Sequence, residues 1–239
     1  MKAVILAAGV GKRLWPVTQH RPKCLIEIGG QSLLHRYLEC LASLSIPRAD
    51  IVVGYKQEMI RKAVETNAFG LRVNFLVNEQ FHRGSISSLW VARKALDDDV
   101  IVMDADVLFH REILRRLVQS PYPNALLMDD SVKQTGEECM VVAEGGRVIA
   151  LTKKMPSRYD HAGEGVGFLK VRHADTPHVV ASLRTFVDRE AWQMEYEDAL
   201  IEFFREVKVG YEVIGGLPWT EIDFPEDVEK AEREILPKL

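Results

Sequence analysis

Residues 2–14 read KAVILAAGVGKRL. After Lys2 the chain runs apolar to Ala8, then turns into a loop holding Gly9, Gly11, Lys12 and Arg13. A continuous apolar run of this length, closed by glycine, is the mark of a strand buried on both faces of a parallel sheet. It is too short and too quickly followed by cations to read as a signal peptide. Working outward, residues 32–44 set Leu33, Leu34, Tyr37, Leu38, Leu41 and Leu44 on one helical stripe, with Ser32 placed as N-cap. A strand at 50–55, a helix at 57–66, a strand at 72–77 and a helix at 86–96 follow. A strand at 99–103 then runs into DADVLF, before a helix at 110–119. Such alternation demands right-handed crossovers and predicts an α/β fold: a doubly wound, mostly parallel sheet with helices on both faces.

The pattern changes after Pro121. Short strands are expected at 124–129, 139–144 and 147–152, the last two joined by Gly145-Gly146 as a hairpin. Another strand at 166–171 precedes a helical stretch over 175–207, broken near Arg189. A strand near 211–214, an irregular GGLPWTEID segment and a helix opening at Pro225 close the chain. With no linker or repeat, residues 1–239 form one domain with a small antiparallel β excursion in the second half. Its first half is 1–120 and its second 121–239.

Composition bounds the function. Of 239 residues, 47% are hydrophobic, and 31 Lys+Arg face 35 Asp+Glu for a net charge of −4. Collagen-like, disulfide-scaffold and disordered classes are excluded, and a mildly acidic chain has no general pull towards nucleic acid. No run approaches the roughly 18–20 apolar residues of a membrane span. Cys24, Cys40 and Cys139 are odd in number and lack metal or redox spacing, which points to a reduced, cytoplasmic setting. The seven histidines show no zinc spacing.

Three segments carry chemistry. In the first, the glycine loop lets backbone N–H groups approach an anion, and Lys12, Arg13 and Lys23 add three cations. It is neither a Walker A loop, which needs Ser or Thr where Arg13 stands, nor a dinucleotide fingerprint, which needs glycine at Leu14. Pro16 and Pro22 keep residues 15–23 extended or turned. In the second, Asp104 and Asp106 stand at a strand's carboxyl end, where ligands of open α/β sheets bind. For Asp104 a plain helix-capping role competes equally. In the third, Glu221 and Asp223 alternate onto one face ahead of a helix whose first turn holds Glu226 and Asp227.

The string LAAGxGxRL, a following PK, an apolar strand and Gly29-Gly30 resembles the opening of the nucleotidyltransferases that activate sugar phosphates and small alcohol phosphates. The resemblance implies a Rossmann-like fold, a nucleoside triphosphate wrapped by the loop, and catalytic contacts from Arg13 and Lys23 to its phosphates. Leu6, Ala7, Ala8, Gly9, Gly11, Ser85 and Asp104 would complete the nucleotide site. Asp106 in D-x-x-F and Asp223 in W-x-E-I-D resemble the family's metal carboxylates, which implies Mg²⁺ as cofactor. Hard oxygen ligands shared with phosphates suit that ion.

Across the chain, PKCLIEIGG, SLWVAR, MDADVLF, TKK, GEGVGF, YEDAL and WTEID look most like the bacterial phosphocholine cytidylyltransferase group. That likeness implies CTP as donor, a small phosphorylated alcohol as acceptor, and Lys153 (or its neighbour Lys154) on the acceptor phosphate. A choline cation calls for aromatic faces. Candidates are Tyr159, Phe168, Trp192, Tyr196 and Trp219, with Glu164, Glu197 and Asp198 as nearby acids. Trp192 and Tyr196 at i, i+4 would form one wall. Members of the group often carry paired asparagines where this chain has Gly84 and Ser85; Ser85 is still placed to cap the helix, and Arg83 would suit a more anionic acceptor. A sugar-1-phosphate nucleotidyltransferase, a molybdopterin-type transferase and a nucleotide-sensing subunit are the rivals. A homodimer is compatible with all of them.

Overall fold

The computed structural model describes residues 1–132, 135, 136 and 138–239. In chain order the first half holds β1 (Lys2–Ala7), β2 (Glu27–Ile28), β3 (Gln31–Ser32), α1 (Leu33–Ser43), β4 (Arg48–Val53) and α2 (Gln57–Thr66). Next come β5 (Arg72–Val77), α3 (Ile86–Ala92), β6 (Val100–Asp104), β7 (Val107–Phe109) and α4 (Arg111–Gln119). The second half adds β8 (Ala125–Asp129), β9 (Met140–Glu144), β10 (Arg147–Thr152), β11 (His161–Val171) and α5 (Thr176–Val187). It closes with α6 (Tyr196–Ala199), α7 (Ile201–Glu206), β12 (Gly210–Val213), β13 (Trp219–Glu221) and α8 (Pro225–Lys230).

The doubly wound sheet is present. β5, β4, β1 and β6 lie side by side and parallel, with Ala3 opposite both Ala49 and Ile101. The chain winds outward from β1 to β5 and then returns to the far side of β1 at β6. A crevice opens where the winding reverses, outside the carboxyl ends of β1 and β6. β11 then joins antiparallel to β6, β8 runs antiparallel to β11, and β12 lies parallel to β8. The β9–β10 hairpin, turning through Gly145 and Gly146 at positive φ, attaches to residues 161–164 of β11. This is the antiparallel excursion.

β1 shows why helices cover both faces. Its alternating side chains feed two separate cores: Ala3, Ile5 and Ala7 pack with α1, α2 and α4, and Val4 packs with α3, α5, α6 and α7. The Ser32 hydroxyl accepts a 3.2 Å bond from the His35 N–H, capping α1 as its position predicts. A third, smaller cluster joins Leu14, Ile26 and Ile28 to Leu108, Ile222 and Ile235, fixing the glycine loop against β7 and the chain's end. Among the described residues no helix is long and apolar enough to cross a membrane.

Three expectations need correction. The helix expected over 86–96 ends at Ala92 and tightens into a 3₁₀ turn over 93–95. The stretch 175–207 is broken far more widely than a single kink: residues 188–195 leave the helix, with Glu190 at φ +56°. The segment 215–223 is also less irregular than expected, because it contains β13, antiparallel to β7.

Candidate active site

The loop after β1 closes tightly. Gly11 sits at φ +65°, and a Cβ there would meet Thr18 Cγ2 at 3.3 Å and Lys23 Cβ at 3.4 Å. The Thr18 hydroxyl donates to the Gly11 carbonyl at 2.6 Å, folding residues 15–23 back beside the loop. A cleft of about 510 Å³ opens there, and every residue expected to contact nucleotide lines it: Leu6, Ala7, Ala8, Gly9, Gly11, Arg13, Lys23, Ser85 and Asp104.

At the mouth of this cleft two distant acidic segments meet. Lys23 Nζ donates to Asp106 Oδ2 at 2.6 Å and to Asp223 Oδ1 at 2.5 Å. Arg13 Nη2 takes the other Asp223 oxygen at 2.7 Å, its guanidinium stacked 5.2 Å from the Phe224 ring centroid. The convergence is made by β7 and β13, which pair Val107 with Glu221, and by the Ile222 N–H donating to the Asp106 carbonyl at 3.0 Å. Asp227 reaches back to accept from the N–H groups of Asp223 and Phe224 at 2.9 and 2.7 Å, fixing the segment at the start of α8.

A second cleft of about 700 Å³ shares Arg13, Ser85, Asp104, Asp106 and Asp223 with the first. Of the expected acceptor residues, Lys153, Glu164, Tyr196 and Trp219 line it, and Trp192 does not. Trp192 lies in the 188–195 segment, where its carbonyl accepts from the Gly84 N–H at 2.8 Å and its ring lies under the Arg83 guanidinium. Tyr196 begins a new helix, so the i, i+4 aromatic wall does not exist. Tyr196 is buried, and its hydroxyl donates to Asp104 Oδ2 at 2.9 Å. Phe168 belongs to the core, edge-on to Tyr37 and Phe109. The Trp219 indole N–H donates to Asp129 at 2.7 Å.

Ser85 does not cap α3 with its side chain. Its hydroxyl instead accepts from the Tyr196 N–H at 2.8 Å, and its own N–H donates to Glu195 at 3.1 Å. Gly84 leaves no room for a side chain, because a Cβ there would collide with the Met194 carbonyl. Backbone therefore fills the place where an amide side chain was expected. Arg83 lines the first cleft, away from the acceptor side. Asp129 escaped the sequence reading. Its signal was present all the same, since it ends a strand parallel in direction to β6, at the sheet edge that carries Asp104.

Residues 2–130 match the family model described as nucleotidyl transferase. This chain belongs to the nucleotidyl transferase family. It is 27% identical to a CMP-5'-(3-aminopropyl)phosphonate synthase of Streptomyces rubellomurinus over 99% of its length, and spans 39% of that protein. It is 24% identical to the CTP:phosphoglutamine cytidylyltransferase of Campylobacter jejuni, covering 96% of this chain and 98% of that one. The solved CTP:phosphocholine cytidylyltransferase of Streptococcus pneumoniae superposes with a TM-score of 0.77 at 24% identity, over 98% of each chain.

Charge in this nucleotidyl transferase is sharply partitioned. Burial acts to lower the Lys23 pKa, but Asp106 and Asp223 outweigh it and hold the ammonium well above its ordinary value. Around it the acids are pushed the other way. Burial, then Asp106 and Asp223, raise Glu221 to about 8. Burial raises Glu197 to about 7, reinforced by Glu195 and Asp198. Burial and the neighbouring Glu138 and Asp129 raise Glu164 to about 7. Asp104 is held well above the carboxylate range by burial and by Glu197. The carboxylates exceed the cations available to balance them.

That excess fits a divalent cation. Among the described residues no three His, Cys, Asp or Glu side chains converge as a ready metal cage. Asp106 and Asp223 do converge on one point, now occupied by the Lys23 ammonium. A pair of carboxylates completed by phosphate oxygens and water is how Mg²⁺ is usually held beside nucleotides.

Proposed function

We propose that this protein transfers CMP from CTP to a small phosphorylated alcohol and releases pyrophosphate. The observation that carries the reading is the meeting of Asp106, Asp223, Lys23 and Arg13 where a glycine-loop cleft adjoins a second cleft. The preference for cytosine rests on likeness to proteins whose names specify CTP or CMP.

The triphosphate lies along the glycine loop, where backbone N–H groups and the cations of Arg13 and Lys23 meet its oxygens. The acceptor enters the second cleft with its phosphate towards Lys153. An acceptor oxygen forms a bond to the α-phosphorus, and the bond from that phosphorus to the α–β bridging oxygen breaks. Pyrophosphate leaves with the electron pair. The nucleophile is already an anion, so no base is needed, and the chain's contribution is alignment and charge neutralisation. Mg²⁺ held by Asp106 and Asp223 would supply further neutralisation of the phosphate oxygens. Arriving phosphate oxygens compete for Arg13 and Lys23, which frees the carboxylates these cations now occupy.

Pyrophosphate release tests the reading, with each nucleoside triphosphate crossed against small alcohol phosphates, phosphonates and hexose 1-phosphates, with and without EDTA. Release with CTP and a small acceptor, abolished by EDTA, is expected. Release only with hexose 1-phosphates would move the protein to the sugar branch, and none with any pair would refute the transfer.

A further inference from the structure

The peptide unit that follows Asp106 is held at both ends. Its carbonyl oxygen accepts from the Ile222 N–H at 3.0 Å, which ties the residue before Asp223 to Asp106. That bond makes Val107 and Glu221, which face each other across the β7–β13 ribbon, a non-hydrogen-bonded pair, so the Val107 N–H points away from β13. There it donates to the Tyr37 hydroxyl at 3.0 Å. One bond therefore joins the two acidic segments to each other, and the other joins them to the core. Tyr37 rises from α1 and is 1% exposed, its ring edge-on to Phe109 and Phe168 with centroids 5.1 and 5.9 Å away. Val107 is buried as deeply, and a buried backbone N–H without a partner is costly. The Asp223 side has a further anchor in Asp227, which accepts from the N–H groups of Asp223 and Phe224. On the Asp106 side the anchor to the core is the phenol.

We propose that Tyr37 is a positioning residue of the metal site, its hydroxyl fixing where the Asp106 carboxylate stands relative to Asp223. The proposal rests on the reading of Asp106 and Asp223 as metal carboxylates given above. Mg²⁺ demands near-ideal ligand geometry, and groups that orient its ligands without touching the ion govern affinity. Tyr37 does this through the backbone. With its hydroxyl gone, the turn between β6 and β7 keeps only the Ile222 bond and can pivot about it, and the Asp106 side chain moves with the turn. Tyr37→Phe keeps the ring and its packing on Phe109 and Phe168, so what it removes is the hydrogen bond.

The glycine loop is held independently of this clamp. Thr18 fixes the Gly11 carbonyl, and Leu14 packs with Ile26, Ile28 and Ile235. Loss of the Tyr37 hydroxyl should therefore act on the metal carboxylates and leave the nucleotide cleft in place. In the sequence Tyr37 is one more apolar position on the stripe of α1, and no motif sets it apart.

Three variants and two measurements test the role. Mn²⁺ affinity of the nucleotide-free protein, from the free-ion EPR signal, is measured beside kcat and KM for CTP with the best acceptor of the panel above. Tyr37→Phe should weaken Mn²⁺ binding about tenfold and lower kcat about tenfold, with KM for CTP within about twofold of wild type. Leu41→Ala opens the same core from the same helix. It should lower the Tm at least as far and leave Mn²⁺ affinity and kcat within about twofold of wild type. Asp106→Asn, which removes a ligand outright, should abolish Mn²⁺ binding. Wild-type Mn²⁺ affinity in Tyr37→Phe, beside its loss in Asp106→Asn, would overturn the positioning role and leave the metal reading standing. So would equal losses in Tyr37→Phe and Leu41→Ala, the mark of plain packing. Wild-type Mn²⁺ affinity in Asp106→Asn would remove the metal reading and the role of Tyr37 with it.

Discussion

Lys23 is the residue where the site's balance is most exposed. Its ammonium bridges Asp106 and Asp223 at 2.6 and 2.5 Å and is only 15% exposed, whereas Arg13, on the same Asp223, is 57% exposed. Lys23→Met should lower turnover about 10²–10³-fold by removing a cation from the phosphates. It should also tighten Mn²⁺ binding to the nucleotide-free protein, read by titration of the free-ion EPR signal, because two carboxylates lose their internal counter-ion. Unchanged Mn²⁺ affinity would mean that the ammonium does not stand in the ion's place. Asp106→Asn and Asp223→Asn should each abolish measurable turnover and keep cooperative thermal unfolding. That Arg13, Lys23, Asp106 and Asp223 belong to one site was legible in the sequence, because each stands in a motif with fixed local spacing, and the structure brings the four together. The setting of Glu197 was not: one of its carboxylate oxygens is buried without a hydrogen-bond partner, and only the packed structure shows that.

At the scale of elements, the site is built by two short pieces, the β7–β13 ribbon and the 188–195 segment. A three-residue strand has no periodicity to read, so β13 was hidden in an irregular-looking segment even though the acids flanking it were evident. The 188–195 segment was misread for a related reason: apolar Ala191, Trp192 and Tyr196 fall at helical spacing, but a left-handed Glu190 ends the regular backbone. By contrast, helix 57–66 and strand 72–77 lie where the periodicity places them, because their patterns are long and locally consistent. The segment's contact with α3 makes a sharp prediction. Gly84→Asn should lose more than about 2 kcal/mol of stability and at least tenfold in kcat/KM, since any side chain collides with the Met194 carbonyl. Wild-type stability and activity in that variant, by thermal melt and pyrophosphate release, would show that the segment yields freely.

For the whole molecule, a net charge of −4 is an average over an uneven distribution. Cations gather on the glycine loop, and acids crowd the carboxyl ends of β6 and β8 and the ribbon. Stability should carry that signature. Glu164 and Glu197, each pushed up to about 7, stay protonated in the folded chain across a range where the unfolded chain, at about 4.3, has already released its protons. The folded state then binds more protons than the unfolded one, so stability falls as pH rises from about 4.5 through 7. The Tm of the ligand-free protein should therefore be higher at pH 5.5 than at pH 8. A rising Tm over that range would contradict the placement of these acids.

Nucleotidyl transfer itself is tested most directly by following the label of [α-³²P]CTP in the presence of a series of small alcohol phosphates and Mg²⁺. The label should move into a new acceptor-linked product in the wild-type protein, with unlabelled pyrophosphate released. Neither Asp106→Ala nor Asp223→Ala should give that product. Label retained in CTP by the wild type across the acceptor series, or product formed at near wild-type rates by both alanine variants, would contradict the assignment.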